Sequence, residues 1–193
     1  MQAGYLRHYL AKIKKLGEKS EIPNISLANA EAIVEVLQKR KFATMLEIGT
    51  ATGYSTLHFA IGCPQMQITT IEHAYNIHCE AVKHIRHCKC KNVHCIWGEA
   101  QNIIPTLQDK YFDVVFIDGM KKEYKEYLIA VLPKLTQNAL IIVDDVEKFA
   151  HKMQDFYDFL EQYSIEYSLQ KTDTDDSIMY IEAKNLKKSH IGI

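Results

Sequence analysis

Residues 44–55, Thr-Met-Leu-Glu-Ile-Gly-Thr-Ala-Thr-Gly-Tyr-Ser, constrain this chain more than any other stretch. Met45 to Ile48 is a short apolar run of the kind that fills a buried parallel strand. A loop carrying Gly49 and Gly53 interrupts it, and a helical pattern with Leu57, Phe59, Ala60 and Ile61 follows. Strand, glycine loop and helix in that order build a site for a nucleotide-like ligand at the carboxyl end of a sheet.

The rest of the chain repeats the theme. Gln67 to Glu72 is a β-branched strand ending in an acid, about twenty residues past the loop, the interval at which a carboxylate grips ribose hydroxyls. A helix over about 75–88 leads to a strand, Val93 to Trp97, which ends in Gly98-Glu99-Ala100. There Glu99 faces an adenine amino group, or serves the first turn of a helix from Gln101 to Leu107. Tyr111 to Asp118 is apolar almost throughout, as a central strand is, and again ends in an acid. A helix from Gly119 to about Leu132 precedes a fifth strand, Ala139 to Val143, closed by Asp144 and Asp145, and then a helix over 147–162. Two last strands, 165–170 and 177–182, joined by the turn-rich stretch 172–176, read as an antiparallel hairpin. The expected fold is α/β: a doubly wound, mostly parallel seven-stranded sheet with helices on both faces.

At 193 residues one domain spanning 1–193 is expected: helices over 1–40 covering the site, a core over 41–183 and a loose tail over 184–193. A net charge of -1 gives no global pull toward nucleic acid or membrane. Arg7, Lys12, Lys14 and Lys15 interrupt any signal-peptide core, so a cytoplasmic chain without a membrane span is expected. The helical stripe Tyr5, Leu6, Tyr9, Leu10, Ile13 and Leu16 carries those bases on its other side, either a solvated face or a surface for an anionic substrate such as RNA. Cys79, Cys88, Cys90 and Cys95 with His78, His84, His87 and His94 raise the question of zinc, but no CxxC pair exists. A helix and strand carrying reduced thiols is the better reading.

The glycine loop discriminates between cofactors. A dinucleotide fingerprint starting at Gly49 would need glycines where Ala51 and Tyr54 stand, and no Gly-Lys-Ser/Thr of a phosphate loop is present. What is present, Glu47-x-Gly49-x-x-x-Gly53, leaves room for an uncharged sulfonium with an amino-acid tail. Here the wording resembles the first motif of S-adenosylmethionine (SAM)-dependent methyltransferases. It is close to the catechol O-methyltransferase-like group, in particular the small bacterial O-methyltransferases called family 3. The likeness runs from about Ile25 to Glu182, with Glu72, Gly98-Glu99-Ala100, Phe116-Ile117-Asp118 and Val143-Asp144-Asp145 in register.

The resemblance implies a set of roles. Glu47, Gly49, Thr50, Gly53, Tyr54 and Ser55 surround the methionine part of SAM. Glu72 takes the ribose with His73 beside it, Gly98, Glu99 and Ala100 face the adenine, and Ile25 lines the same pocket with its backbone. Asp118 sits beside the cofactor and, with Asp144 and Asp145, holds a divalent cation, Mg2+ first, Mn2+ or Ca2+ otherwise. Lys121 is the general base and Tyr124 a structural tyrosine. The family's usual Asn is Asp145 here, so three carboxylates stand where two and an amide are expected. Asp144 with Glu147 also reads as a helix capping box, and Lys121 as a solvated neighbour of Lys122. The implied activity is methyl transfer to a hydroxyl of a catechol-like small molecule or of a tRNA nucleoside, in a chain whose relatives are often homodimers. The alternative is a SAM-binding sensor or interaction protein without turnover.

Overall fold

The structure, a computed structural model, describes residues 3–172 and 176–186. Two helices open it, α1 (Ala3–Lys19) and α2 (Leu27–Arg40). Ser26 caps α2, its side chain accepting from the Asn29 N–H at 3.0 Å. The core then alternates β1 (Thr44–Ile48), α3 (Tyr54–Gly62), β2 (Gln67–Glu72), α4 (Tyr75–His87), β3 (Val93–Trp97), α5 (Ala100–Ile103) and β4 (Phe112–Ile117). It ends with α6 (Tyr124–Val131), β5 (Leu135–Val143), α7 (Gln154–Gln162), β6 (Ser168–Lys171) and β7 (Ser177–Glu182).

These strands form one seven-stranded sheet in the order β3-β2-β1-β4-β5-β7-β6. All pairings are parallel except those of β7, which runs antiparallel to β5 and β6. The chain moves outward from β1 to β3, then returns to β4 on the other side, so the sheet reverses its winding between β1 and β4. At such a switch point the loops at the strand ends diverge and leave a crevice.

Strand residues alternate between two cores, as the two-residue period requires. Leu46, Ile48, Val115, Ile117, Ile141 and Val143 face the layer that holds Leu128, Phe156 and Leu160. Met45, Val114, Phe116, Leu140 and Ile142 face the layer of Ile33, Leu37, Leu57 and Phe59. Each such side chain, taken fully out of water, contributes roughly 1.5–3 kcal/mol.

Several boundaries depart from the sequence expectation. The helix expected over 147–162 begins only at Gln154. Asp145 adopts a left-handed conformation (φ 60°), which breaks the turn a helix would need, and the chain runs as a loop to a short 3-10 turn at Ala150–Lys152. The Asp144–Glu147 capping box is therefore absent. The stretch 101–107 divides into α5, which starts at Ala100, and a 3-10 turn at Ile104–Thr106 containing Pro105. The helix after β4 starts as a 3-10 turn, Lys121–Glu123. β5 begins at Leu135, four residues early, and β6 at Ser168, because Ile165 is buried in the core rather than paired. The tail expected from Lys184 includes a 3-10 turn, Ala183–Asn185, and a buried Leu186. Residues 173–175 of the hairpin turn and 187–193 lie outside the described residues.

Candidate active site

Backbone hydrogen bonds stitch the strand ends into one rim. The N–H groups of Gly49 and Thr50 donate to the Ile71 carbonyl, Gly98 to Glu72, Asp118 to Ile48 and Asp144 to Ile117, all at 3.0–3.2 Å. Gly49 is held at φ +100°, and a Cβ there would lie 2.3 Å from the Asp118 carbonyl oxygen. Only glycine lets β1 turn while β4 passes so close.

Above this rim lies a cavity of about 920 Å³. That is near the upper end of small-ligand sites, roughly 300–1,000 Å³, and has room for a nucleoside-sized ligand with a small second one. Gly49, Glu72, His73, Gly98, Glu99 and Ala100 line one end; Asp118, Lys121, Asp144 and Asp145 line the other; Ile25 lies on the wall from the α1–α2 loop. Glu72 is buried, its two oxygens accepting from the Ala51 and Ala74 N–H groups at 2.9 Å each. It thus fixes the glycine loop and keeps lone pairs for a ligand hydroxyl.

Five of the residues that the resemblance puts around the methionine part stand behind this wall. Glu47 is fully buried on the α3 side of the sheet, accepting from the Ser55 hydroxyl at 2.7 Å and the Thr56 hydroxyl at 2.5 Å. Burial raises its pKa from the ordinary 4.5 to about 7, against the pull of hydrogen bonds from Thr56, Thr70 and Ser55. Thr50 shares a buried 2.6 Å hydrogen bond with Thr70, Gly53 precedes α3 at φ +81°, and Tyr54 packs edge-on against His58. Strand alternation explains Glu47: it points through the sheet face, and the Gly49–Ala51 backbone forms the cavity surface instead.

At the other end the side chains carry the site. Oxygens of Asp118, Asp144 and Asp145 lie within 4.8 Å of one another. Burial, then the charges of Asp118 and Asp145, hold the Asp144 pKa well above the ordinary carboxylate range. Asp118 is raised too, by burial first, with Asp145 adding to it and Lys121 opposing. Lys121 Nζ is 2.8 Å from Asp118 Oδ1, 2.7 Å from Asp145 Oδ2 and donates to the Tyr124 hydroxyl at 2.6 Å. Burial works to lower the Lys121 pKa, but Asp118, Tyr124 and Asp145 outweigh it and leave the pKa raised. The lowered pKa that a lysine base needs is thus not present in this arrangement. Tyr124, fully buried, donates to the Asp144 carbonyl at 3.3 Å. A cluster of hard oxygen donors short of positive charge fits a divalent cation.

Two residues of this centre were not legible as such. Asn29, from α2, donates to Asp144 Oδ1 at 2.7 Å and accepts from the Thr172 hydroxyl. Asp176, before β7, accepts from the N–H groups of Glu147 (3.1 Å) and Ser177 (2.8 Å) and lines the cavity. Both reach the site across more than 25 residues of chain, and no local pattern marks them. The thiols and imidazoles of 78–95 are distributed over α4, β3 and their connection, and the five cysteines are free. Among the described residues, no helix is long and apolar enough to cross a membrane.

Residues 46–146 match the methyltransferase-domain family, and the chain belongs to it. It is 30% identical over 145 residues to a catechol O-methyltransferase of Mycobacterium tuberculosis, covering 71% of this chain and 64% of that protein. A catechol O-methyltransferase of Niastella koreensis is 32% identical over 144 residues, covering 71% and 65%. The matches thus span just under two thirds of those relatives' length. In shape, the O-methyltransferase TomG of Streptomyces achromogenes in complex with SAM superposes with a TM-score of 0.79 at 22% identity, covering 90% of this chain and 89% of that one. An O-methyltransferase of Bacillus cereus in complex with SAH gives 0.77 at 21%, covering 91% and 90%.

Proposed function

We propose that this protein is a divalent-metal-dependent O-methyltransferase that moves a methyl group from SAM to a hydroxyl of a small molecule with neighbouring hydroxyls. One observation carries the reading. A single cavity joins a backbone-built end, suited to an adenosine, to a three-carboxylate end, suited to a cation. The family and the relatives named as catechol O-methyltransferases support it.

In this reading Glu72 accepts from the ribose hydroxyls and the Gly98–Ala100 turn borders the adenine. The Gly49–Ala51 backbone runs beside the methionine part, and Glu47, behind it, holds the start of α3 through Ser55 and Thr56. SAM, when bound, would supply the methyl group to the acceptor oxygen and be left as SAH, the oxygen's proton going to Lys121 once that lysine has released its own to solvent. Asp118, Asp144 and Asp145 would hold the metal, which when bound acidifies and orients a chelated hydroxyl. Asn29 fixes Asp144, and Tyr124 fixes the Asp144 backbone. Lys121 is the candidate proton acceptor. Held charged by Asp118 and Asp145 in this structure, it accepts a proton only after losing its own. Much of the acceleration comes from alignment of the two reactants in one closed space.

The test is transfer from methyl-labelled SAM to a catechol panel and to undermodified tRNA, with Mg2+ or Mn2+ and with chelator. Transfer to catechols that falls at least about 100-fold on chelation, and equally in Asp118→Ala, is expected. Transfer that survives both changes sinks the metal-dependent reading. Binding of SAH without turnover under any metal would identify a non-catalytic SAM binder instead.

A further inference from the structure

The loop from Asp144 to Met153, expected from sequence to be helical, forms a wall of the cavity. It carries Lys148, Phe149 and Lys152, all of which line the space. The wall is built rather than loose. Asp176 accepts from the Glu147 and Lys148 N–H groups, at 3.1 and 3.4 Å, and the Tyr157 hydroxyl donates to the Val146 carbonyl at 2.6 Å. Phe149 is half-buried, and three ammonium groups surround its ring: Lys152 at 4.9 Å, Lys148 at 5.6 Å and Lys121 at 5.8 Å from the centroid. The ring therefore lies between the carboxylate centre, where Lys121 is engaged, and the outer rim.

The charges of the cavity are segregated. Asp118, Asp144 and Asp145 gather at the strand ends, and Lys121 is committed to two of them. Lys122, from the turn after β4, is exposed like Lys148 and Lys152, and Lys14 of α1 is half-buried. Among the described residues none of these four has a carboxylate within ion-pair distance. Glu18 and Glu21 line the shallower depression that Lys14 and Lys148 also border. Glu72, Glu99 and Asp176 also line the space, so the positive charge is local: Lys122, Lys148 and Lys152 are the exposed ammonium groups beside Phe149 and the turn after β4. A cleft with one sign of charge at its mouth concentrates ligands of the other sign.

We propose that the methyl acceptor is a small anion: a ring with neighbouring hydroxyls and a carboxylate or phosphate substituent. Its ring packs on Phe149, and Lys122, Lys148 and Lys152 hold its anionic group at the rim while the hydroxyls reach the carboxylate centre. This rests on the O-methyltransferase reading above and adds the acceptor's charge to it. A ring on an aromatic face with a cationic fringe gains both stacking and charge attraction.

The test offers the protein catechol, 3,4-dihydroxybenzoate and dopamine, one ring with neutral, anionic and cationic substituents, together with SAM and Mg2+. A phosphorylated catechol arm separates carboxylate from phosphate preference. Expected kcat/KM runs acid, then catechol, then amine, with about ten-fold or more between the ends, narrowing as salt screens the rim. In Lys148→Glu/Lys152→Glu the ratio of acid to catechol falls about ten-fold, and Lys122→Glu lowers it in the same direction. Catechol used as well as or better than both anionic acceptors overturns the proposal and leaves the methyltransferase reading standing. So does a ratio that the double variant does not move. Transfer to undermodified tRNA exceeding that to every small acceptor overturns it as well. No turnover with any acceptor defeats the methyltransferase reading itself. Titration of 3,4-dihydroxybenzoate and catechol onto the SAH-bound protein then still decides: tighter binding of the acid upholds an anion site, equal binding overturns it.

Discussion

Glu72 is the last residue of β2 and Asp144 the first past β5, two places on one rim of the sheet, and their surroundings are opposite. Both Glu72 oxygens accept backbone N–H groups from loops that the fold itself places there. Asp144 has a single side-chain donor, Asn29, and faces two further carboxylates. The β1–β3 half of the site is closed on its own backbone. The carboxylate cluster at the β4–β5 strand ends is short of positive charge, with Lys121 the one ammonium ion-paired to it among the described residues. A half satisfied by its own backbone suits a ligand read by shape and hydroxyls, whereas a half short of positive charge suits a cation.

The sharpest way to break this contrast is at Gly49, where the two halves touch. Gly49→Ala puts a Cβ 2.3 Å from the Asp118 carbonyl oxygen and strains a φ of +100°. Gly53→Ala meets its strain at φ +81°, but its nearest neighbour is 3.5 Å away, so that variant isolates the conformational penalty. Urea unfolding is expected to show a loss of more than about 3 kcal/mol at Gly49 and about 1 kcal/mol at Gly53. Equal losses would mean the β1 loop and β4 move apart freely, and the two halves are not mechanically joined.

Glu47 tests whether the β1–β3 half is as settled as its hydrogen bonds imply. It is the one carboxylate there whose charge is opposed by burial, with a pKa raised from 4.5 to about 7. Between those values the folded chain binds the proton that the unfolded chain releases, so the group's contribution falls as pH rises through this window. Measured by urea unfolding, Glu47→Gln should therefore gain on the parent by about 2 kcal/mol between pH 5 and 7.5. A difference independent of pH would mean the Ser55 and Thr56 hydroxyls fully stabilise the carboxylate.

The same contrast decides what the sequence could disclose. The β1 strand, its glycine loop and Glu72 lie within 29 residues of chain, and their conformation follows from local rules: an apolar run, a required positive φ, an acid at a strand end. Asp118 and the Asp144-Asp145 pair follow the same rule, each at the end of an apolar run. What local pattern could not show was which face a residue serves. The resemblance puts Glu47 at the cofactor, and strand alternation sets its side chain on the α3 face of the sheet. The segment after Asp145 has helical composition, and a single left-handed residue turns it into a cavity wall. Asn29 and Asp176 join the centre through tertiary packing alone, from 115 and 32 residues away along the chain from Asp144.

Asp145→Asn is the gentlest probe of the charge-poor half, and it restores the residue that the resemblance leads one to expect. Asn and Asp both tolerate the left-handed conformation held here (φ 60°), so the exchange changes charge and little else. Two effects oppose each other in the metal-free protein. The variant loses the full charge facing Lys121 at 2.7 Å, and it relieves the Asp145 repulsion that adds to burial in raising Asp118 and Asp144. Three carboxylates against one ammonium leave the centre net negative, so relief should win by about 1 kcal/mol, or 2–4 °C in Tm. With Mg2+ the order should reverse, because a ligand that binds only the folded chain stabilises it in proportion to affinity, and the variant offers one negative charge fewer. Thermal unfolding of both proteins, with chelator and across a Mg2+ series, measures both terms. A variant less stable than the parent without metal would show that the Lys121 ion pair outweighs the repulsion. The β4–β5 half would then be as self-sufficient as its neighbour.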